Sequence, residues 1–352
     1  MECVPAADNL RIFGHVEKFS EVTSDMIRAA GEARKKVWWN IEMWGLVTDD
    51  TAMADLLIDC LLRHDGEVTA QEFAQEWRNA DQLIANPGGG PDINRMHYFH
   101  WLEQITFLRN KLRTINKREL GQGEVQATNA LMCSAPIGLV HAGDPLAAEQ
   151  AAVDITSVHQ HGASRDAAGA YCAALAHCFL PGATVESIIA TALKHLRDER
   201  LVYEVNTILE VAKRCHTCRE FIDRYWQEMV GTLVPRQDWQ HHGTGSLTTW
   251  NNSEVLGVAL GMFRISGGGA DGLEMLRCCA LNGRDADTTC RVAGGLLGAW
   301  RGLGAIPQEW IHFVLPRNQW LHLERKSGEL ADLVVRRLRC RQEACAAVLA
   351  DR

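Results

Sequence analysis

Apolar positions along this chain recur at intervals of three and four and almost never alternate. After Asp49, the residues Met53, Leu56, Leu57, Cys60 and Leu61 fall on one face of a helix, behind an acidic start. The same period predicts helices over about 21–36, 49–63, 70–84, 93–112, 145–159, 167–179, 185–195, 202–215, 219–230, 253–263, 272–281 and 288–302. A last helix covers 330–350, within a C-terminal segment 328–352. The breaks are rich in Gly and Pro, as in Asn86-Pro87-Gly88-Gly89-Gly90-Pro91 and Ser266-Gly267-Gly268-Gly269. Runs of β-branched residues bounded by turns, the signature of strands, are nearly absent. No fixed-period repeat and no linker divides the chain. The expectation is all-α: a single many-helix domain over residues 1–352. The longest apolar stretch, around Ala167 to Leu180, is too short to span a bilayer and reads as a buried helix.

Two acidic stretches interrupt this pattern in the same way. Asn282-Gly283-Arg284-Asp285-Ala286-Asp287-Thr288-Thr289 is a turn that runs into a helix of small residues, among them Gly294, Gly295 and Gly298. Each of these glycines weakens the helix by about 1 kcal/mol relative to Ala, so they suggest a crowded centre where helices approach closely. Thr48-Asp49-Asp50-Thr51 repeats the grammar: hydroxyl, carboxylates, hydroxyl, then a helix. Either stretch alone reads equally as an N-cap, which satisfies free backbone N–H groups and complements the helix dipole. A cap needs one such side chain, however, and each stretch carries more. Brought together, they would supply four carboxylates and several hydroxyls, enough for two hard divalent cations sharing a bridging aspartate. Without metal the cluster would repel itself.

Composition narrows the setting. The 352 residues are 47% hydrophobic and 23% charged, as in ordinary globular proteins. A net charge of -8 argues against a nucleic-acid-binding surface. The local basic runs Arg34-Lys35-Lys36 and Arg336-Arg337 read as solvated helix faces. No basic region followed by an apolar run opens the chain, so the expected location is the cytoplasm, with no membrane partner. Twelve cysteines scattered through helical patterns fit reduced, buried thiols. Cys215-His216-Thr217-Cys218 is the only CxxC, and it lacks the second spaced pair that a structural zinc would need. Trp38, Trp39 and Trp44 precede the acidic stretch; the eleven tryptophans read as core anchors, of which one or two could instead line a pocket and stack on a ligand ring.

Thr48-Asp49-Asp50-Thr51 near the start and Asp285-Ala286-Asp287-Thr288 near the end, the latter followed by Gly294-Gly295, Gly298-Ala299 and Ile306-Pro307, together resemble the ADP-ribosylglycohydrolase family. The resemblance runs from about residue 9 to about residue 310. It implies an all-α fold and hydrolysis of an ADP-ribosyl bond on a modified protein or a small molecule. It also implies Mg²⁺ or Mn²⁺, two ions held by Thr48, Asp49, Asp50, Asp285, Asp287 and Thr288, with Asp49 or Asp50 as the base.

The resemblance also assigns a substrate side. The family has a Gly- and Asn-rich loop before an Ala-Pro-x-Gly, here Ala135-Pro136-Ile137-Gly138, and that loop wraps ribose and diphosphate. Gly123, Thr128 and Asn129 stand in it here, although Cys133 occupies a place where Arg is common. A family His that contacts substrate precedes a Gly-Ala helix; of His159 and His161, His161 has the better offset. His241-His242-Gly243-Thr244-Gly245-Ser246 reads as a loop or a substrate rim. Family members open with a helix bearing Gly-Asp-Ala-x-Gly and a glutamate near the metals, and nothing here matches it. The expectation is a chain that starts late or has a diverged first element, with the face under that helix left open. Two rival functions follow: a non-catalytic ADP-ribose-binding or structural relative, and a hydrolase of another N-glycoside.

Overall fold

The structure, a computed structural model, describes residues 4–34, 45–85, 104–112, 114–124, 126–230 and 252–350. Among the described residues there are seventeen α-helices and no strand, and the fold is all-α. In chain order they are α1 Ala6–Phe13, α2 Ser24–Arg34, α3 Asp49–Arg63, α4 Ala70–Ala85, α5 Gln104–Asn110, α6 Asn129–Cys133, α7 Ala135–Val140, α8 Pro145–Thr156 and α9 Ala163–His177. There follow α10 Val185–Lys194, α11 Glu199–Lys213, α12 Cys218–Tyr225, α13 Asn252–Ile265, α14 Gly272–Leu281, α15 Ala286–Arg301, α16 Gln308–Val314 and α17 Leu323–Ala350. No described helix is long and apolar enough to cross a membrane.

The long periodic helices fall where the pattern places them, α3 and α14 to the residue. The short helices α1, α6, α7 and α16 escape the pattern, because five to eight residues hold barely two turns of period. In α6 every residue is buried, so there is no polar face to reveal a helix. The C-terminal helix begins at Leu323, earlier than expected, behind a left-handed His322. Trp38, Trp39, Trp44, the Gly-Pro segment 86–91, His241 to Ser246 and the Lys35-Lys36 half of the first basic run lie outside the described residues.

The molecule is built around α9. Ten consecutive residues, Ala167 to Ala176, are buried, six of them alanines. A helix that is apolar all round must be surrounded, and α9 packs on α6, α7, α8, α10, α13 and α15. Its small side chains let those helices come close. At Gly138 of α7 an added Cβ would stand 2.8 Å from Leu175 Cβ and 2.9 Å from the Cys172 carbonyl oxygen. Two apolar clusters meet on α9: Tyr171 and Leu175 belong to one with α11, α13 and α15, and Cys172 and Ala176 to another with α3, α4 and α8.

The three glycines of α15 do not act alike. Gly295 is a true close approach, since its Cβ would collide with the Tyr171 hydroxyl, which donates to the Val292 carbonyl at 3.2 Å. Gly294 makes only an ordinary contact and Gly298 meets nothing. They leave an apolar cleft of about 230 Å³ between α15, α7 and α9, so the crowding expected there is confined to Gly295.

Two further expectations change. The N-terminal side is covered: Val4 and Pro5 lie against Gly283, Asn9 donates to the Val4 and Leu281 carbonyls, and Ala6 and Phe13 enter the larger cluster. Arg337 is not a solvated charge, because it binds Glu67 at 2.7 Å and the Asp65 carbonyl at 2.9 Å. With Lys326, whose Nζ lies 2.6 Å from Asp55 and 2.7 Å from Asp59, it fastens α17 to α3 and the turn after it. Among the described cysteines all are free; most are buried as expected, but Cys340 and Cys345 on the outer turns of α17 are exposed.

Candidate metal centre

Helices α3 and α15 begin at the same place. Thr48 is the N-cap of α3 and Asp285 that of α15, yet neither side chain caps its helix. Thr48 instead donates its hydroxyl to Asp50 Oδ2 at 3.1 Å. The cap reading of both motifs therefore fails on geometry. Carboxylate oxygens of Asp49, Asp50 and Asp287 lie within 4.8 Å of one another. Two helix N-termini aimed at one spot favour negative charge there.

Asp50 is buried, while Asp49 and Asp287 are half-buried. Burial first, then the neighbouring Asp287 charge, push the Asp50 carboxyl up to about 7. Arg291 and hydrogen bonds from Thr48 and Thr288 pull it back in part. Asp50 Oδ1 and Asp287 Oδ1 are buried with no hydrogen-bond partner. Burying such an atom without a partner is unfavourable by about 1–3 kcal/mol, and more when it is charged. A cluster of hard oxygen donors with orphaned lone pairs fits a divalent cation such as Mg²⁺ or Mn²⁺.

Of the six residues named from sequence, Thr48, Asp49, Asp50, Asp287 and Thr288 converge. Asp285 stands apart from the close group of three carboxylates. It accepts the Thr128 hydroxyl at 2.9 Å, and its carbonyl accepts from Thr289 at 2.7 Å.

Sequence reasoning missed what holds this loop. Arg284, between Gly283 and Asp285, is almost fully buried and grips Glu254 of α13 through two bonds of 2.6 and 2.8 Å. Tyr225 of α12 donates to the same carboxylate at 2.6 Å. Arg284 sits at φ +56°, and Gly283 at φ +71° passes so close to the Val4 carbonyl that no Cβ would fit. Trp226 Nε1 adds a bond to the Asn282 carbonyl at 2.9 Å. The available signal was a lone positive charge within an acidic turn.

The substrate-side residues divide in two. Thr128 and Asn129, buried at the start of α6, adjoin the acidic loop through the Thr128–Asp285 bond. Ser164 and Asn252 both donate to the Ala127 carbonyl, at 2.6 and 3.0 Å, and Arg291 donates to the Met132 carbonyl at 2.7 Å. His161 braces the segment before it, with Nε2 3.0 Å from the Glu124 carbonyl oxygen and Nδ1 3.2 Å from Gln126 Nε2. Gly123, at φ +86°, is exposed, and a Cβ there would stand 3.7 Å from the Arg109 guanidinium. His159 is a core residue, stacked on Trp77 with centroids 5.3 Å apart.

Fold and site together define an all-α protein with a carboxylate cluster suited to hard divalent cations. A family model described as ADP-ribosylglycohydrolase matches residues 14–343, and the chain belongs to the ADP-ribosylglycohydrolase family. The match extends beyond the span expected from the motifs and takes in most of α17. Among solved structures, the chain is similar to one described as an ADP-ribosylglycohydrolase-related protein complex, with 19% identity, a TM-score of 0.55 and 82% of each chain covered. That likeness is one of fold. No curated protein matches the chain.

Proposed function

We propose that this chain hydrolyses an ADP-ribosyl glycosidic bond, on a modified protein side chain or a small molecule, and releases ADP-ribose. The carrying observation is the meeting of Asp49, Asp50 and Asp287, with two buried carboxylate oxygens left without hydrogen-bond partners. Thr48, Asp49, Asp50, Asp285, Asp287 and Thr288 would hold two Mg²⁺ or Mn²⁺ ions. When bound, such ions neutralise the cluster and supply electrostatic stabilisation of an oxocarbenium-like transition state.

The chain's own residues have distinct parts. Asp49 or Asp50 takes a proton from the attacking water, whose oxygen bonds to the anomeric carbon as the glycosidic bond breaks and the leaving group gains a proton. Of the two, Asp49 is the more open to solvent. Gly123, Thr128, Asn129 and His161 border the ribose and diphosphate, with Thr128 linking that loop to Asp285. Free thiols fit a reducing, cytoplasmic setting, and the net charge of -8 disfavours nucleic acid as a partner.

One observation favours binding of ADP-ribose without turnover: the described residues 4–34 add no carboxylate to the group of three. Calorimetric titration of Mg²⁺ into chelator-stripped protein, with and without ADP-ribose, joined to turnover on ADP-ribosyl-arginine and ADP-ribosyl-serine, separates the readings. Near two ions per chain, tightened by ADP-ribose, with turnover on one linkage, is the expected result. Tight ADP-ribose binding with no turnover would select the second reading, and folded protein that binds neither ion nor ADP-ribose would remove both.

A further inference from the structure

We propose that the far end of α3 carries a second metal centre of a different kind, a zinc-class divalent cation bound by Cys60, His64 and Glu76. Ligand atoms of these three side chains lie within 4.8 Å of one another. Cys60 lies in the last turn of α3, and His64, four residues on, is the C-cap of that helix, its N–H donating to the Cys60 carbonyl at 3.1 Å. Glu76 comes from α4, which packs against α3 at this point. Cys60 and Glu76 are buried and His64 is half-buried, so the group is closed from below and open to solvent past the imidazole.

The donor set decides the class. Thiolate, imidazole and carboxylate are the three ligand types of protein zinc sites, whereas Mg²⁺ avoids sulfur. Three protein ligands leave the fourth tetrahedral position to water. Arg63 donates to one oxygen of Glu76, an outer contact that holds the carboxylate in place. On binding, the Cys60 thiol releases its proton to solvent and its sulfur bonds to the metal. This centre shares no residue with the acidic group, since the ten positions from Asp50 to Cys60 set them roughly 15 Å apart along the helix axis. Its effect is to staple the C-terminal end of α3, whose other end presents Asp49 and Asp50, to α4.

The test is Co²⁺ titrated into the full, chelator-stripped chain, with Mg²⁺ in excess to saturate the acidic group. Absorption from sulfur-to-cobalt charge transfer reports a thiolate ligand, and the acidic group has no sulfur to give. We expect a band that saturates near one equivalent, is bleached by Zn²⁺, and survives in D287N. It should be lost in C60S and in H64Q, the latter a change at a half-exposed position that leaves the core intact. Zn²⁺ should raise the melting temperature of the wild type and not of H64Q. Absence of the band in the wild type, its persistence in both C60S and H64Q, or its loss in D287N would overturn the proposal. None of these readouts depends on ADP-ribosyl turnover.

Discussion

Thr128 donates its hydroxyl to Asp285 across 157 positions of sequence, joining the start of α6 to the acidic loop before α15. The bond occupies one oxygen of Asp285 and thereby orients the other. T128V removes the donor and keeps the shape. Mg²⁺ affinity should fall on the order of tenfold, since a hydrogen bond to a charged group contributes about 1.5–3 kcal/mol. T128S should restore it. Equal affinity in T128V and wild type, read by calorimetry, would show that Asp285 takes no part in holding the ion.

Arg284 and Glu254 form a buried, two-pronged ion pair that carries the acidic loop on α13. Removing one partner leaves the other charged and buried, which destabilises by about 3–5 kcal/mol. R284M and E254Q should each lower the melting temperature sharply and weaken metal binding as the loop loosens. Y225F, which removes one neutral donor from the same carboxylate, should have a smaller effect, about 1.5–3 kcal/mol. A denaturant midpoint in R284M close to wild type would refute this anchoring role.

Asp50 gives the metal-free protein a pH signature. Its carboxyl ordinarily loses its proton near 3.8, but in the fold it holds the proton to about 7. Between those values the folded state binds more protons than the unfolded state, so stability declines as pH rises through the window. Above about 7 the loss is complete, and at low pH it is absent. In chelator, the stability of wild type relative to D50N should therefore fall from about pH 4 to about pH 7 and then level off. Mg²⁺ should flatten the slope at the upper end, because it replaces the proton. Parallel pH profiles for the two proteins would contradict the assignment.

Gly295 and Tyr171 should be energetically coupled. G295A places a methyl group against the Tyr171 hydroxyl, and overpacking of this kind destabilises by about 1–3 kcal/mol. Y171F loses the bond to the Val292 carbonyl but opens the space. The double variant should then be more stable than the sum of the single changes implies. Strict additivity in a double-mutant cycle would mean that α9 and α15 yield without resistance at this crossing.

Much of the site was legible because its chemistry is written in short, contiguous motifs. Thr48-Asp49-Asp50 and Asp285-Ala286-Asp287-Thr288 each announce hard oxygen ligands at the start of a helix, and five of the six named residues converge in space. The sequence left open whether these were caps or ligands. Only the tertiary structure shows that neither Thr48 nor Asp285 caps its helix with its side chain. Asp285 looked equivalent to Asp287, yet Thr128 takes it aside.

The long amphipathic helices, the all-α class and the buried run of α9 follow from sequence alone, because a helix that buries one face must repeat its apolar residues every three or four positions. The partners of buried charges do not follow. Arg284 to Glu254, Lys326 to Asp55 and Thr128 to Asp285 join residues 30, 271 and 157 positions apart. Nothing local in the chain encodes such pairings; they exist because packing the helices around α9 brings those side chains out of water together, where each must find a partner. The same holds for the glycines of α15: their spacing is visible in the sequence, but only the position of Tyr171 decides that Gly295 is the close approach while Gly294 and Gly298 border a cleft.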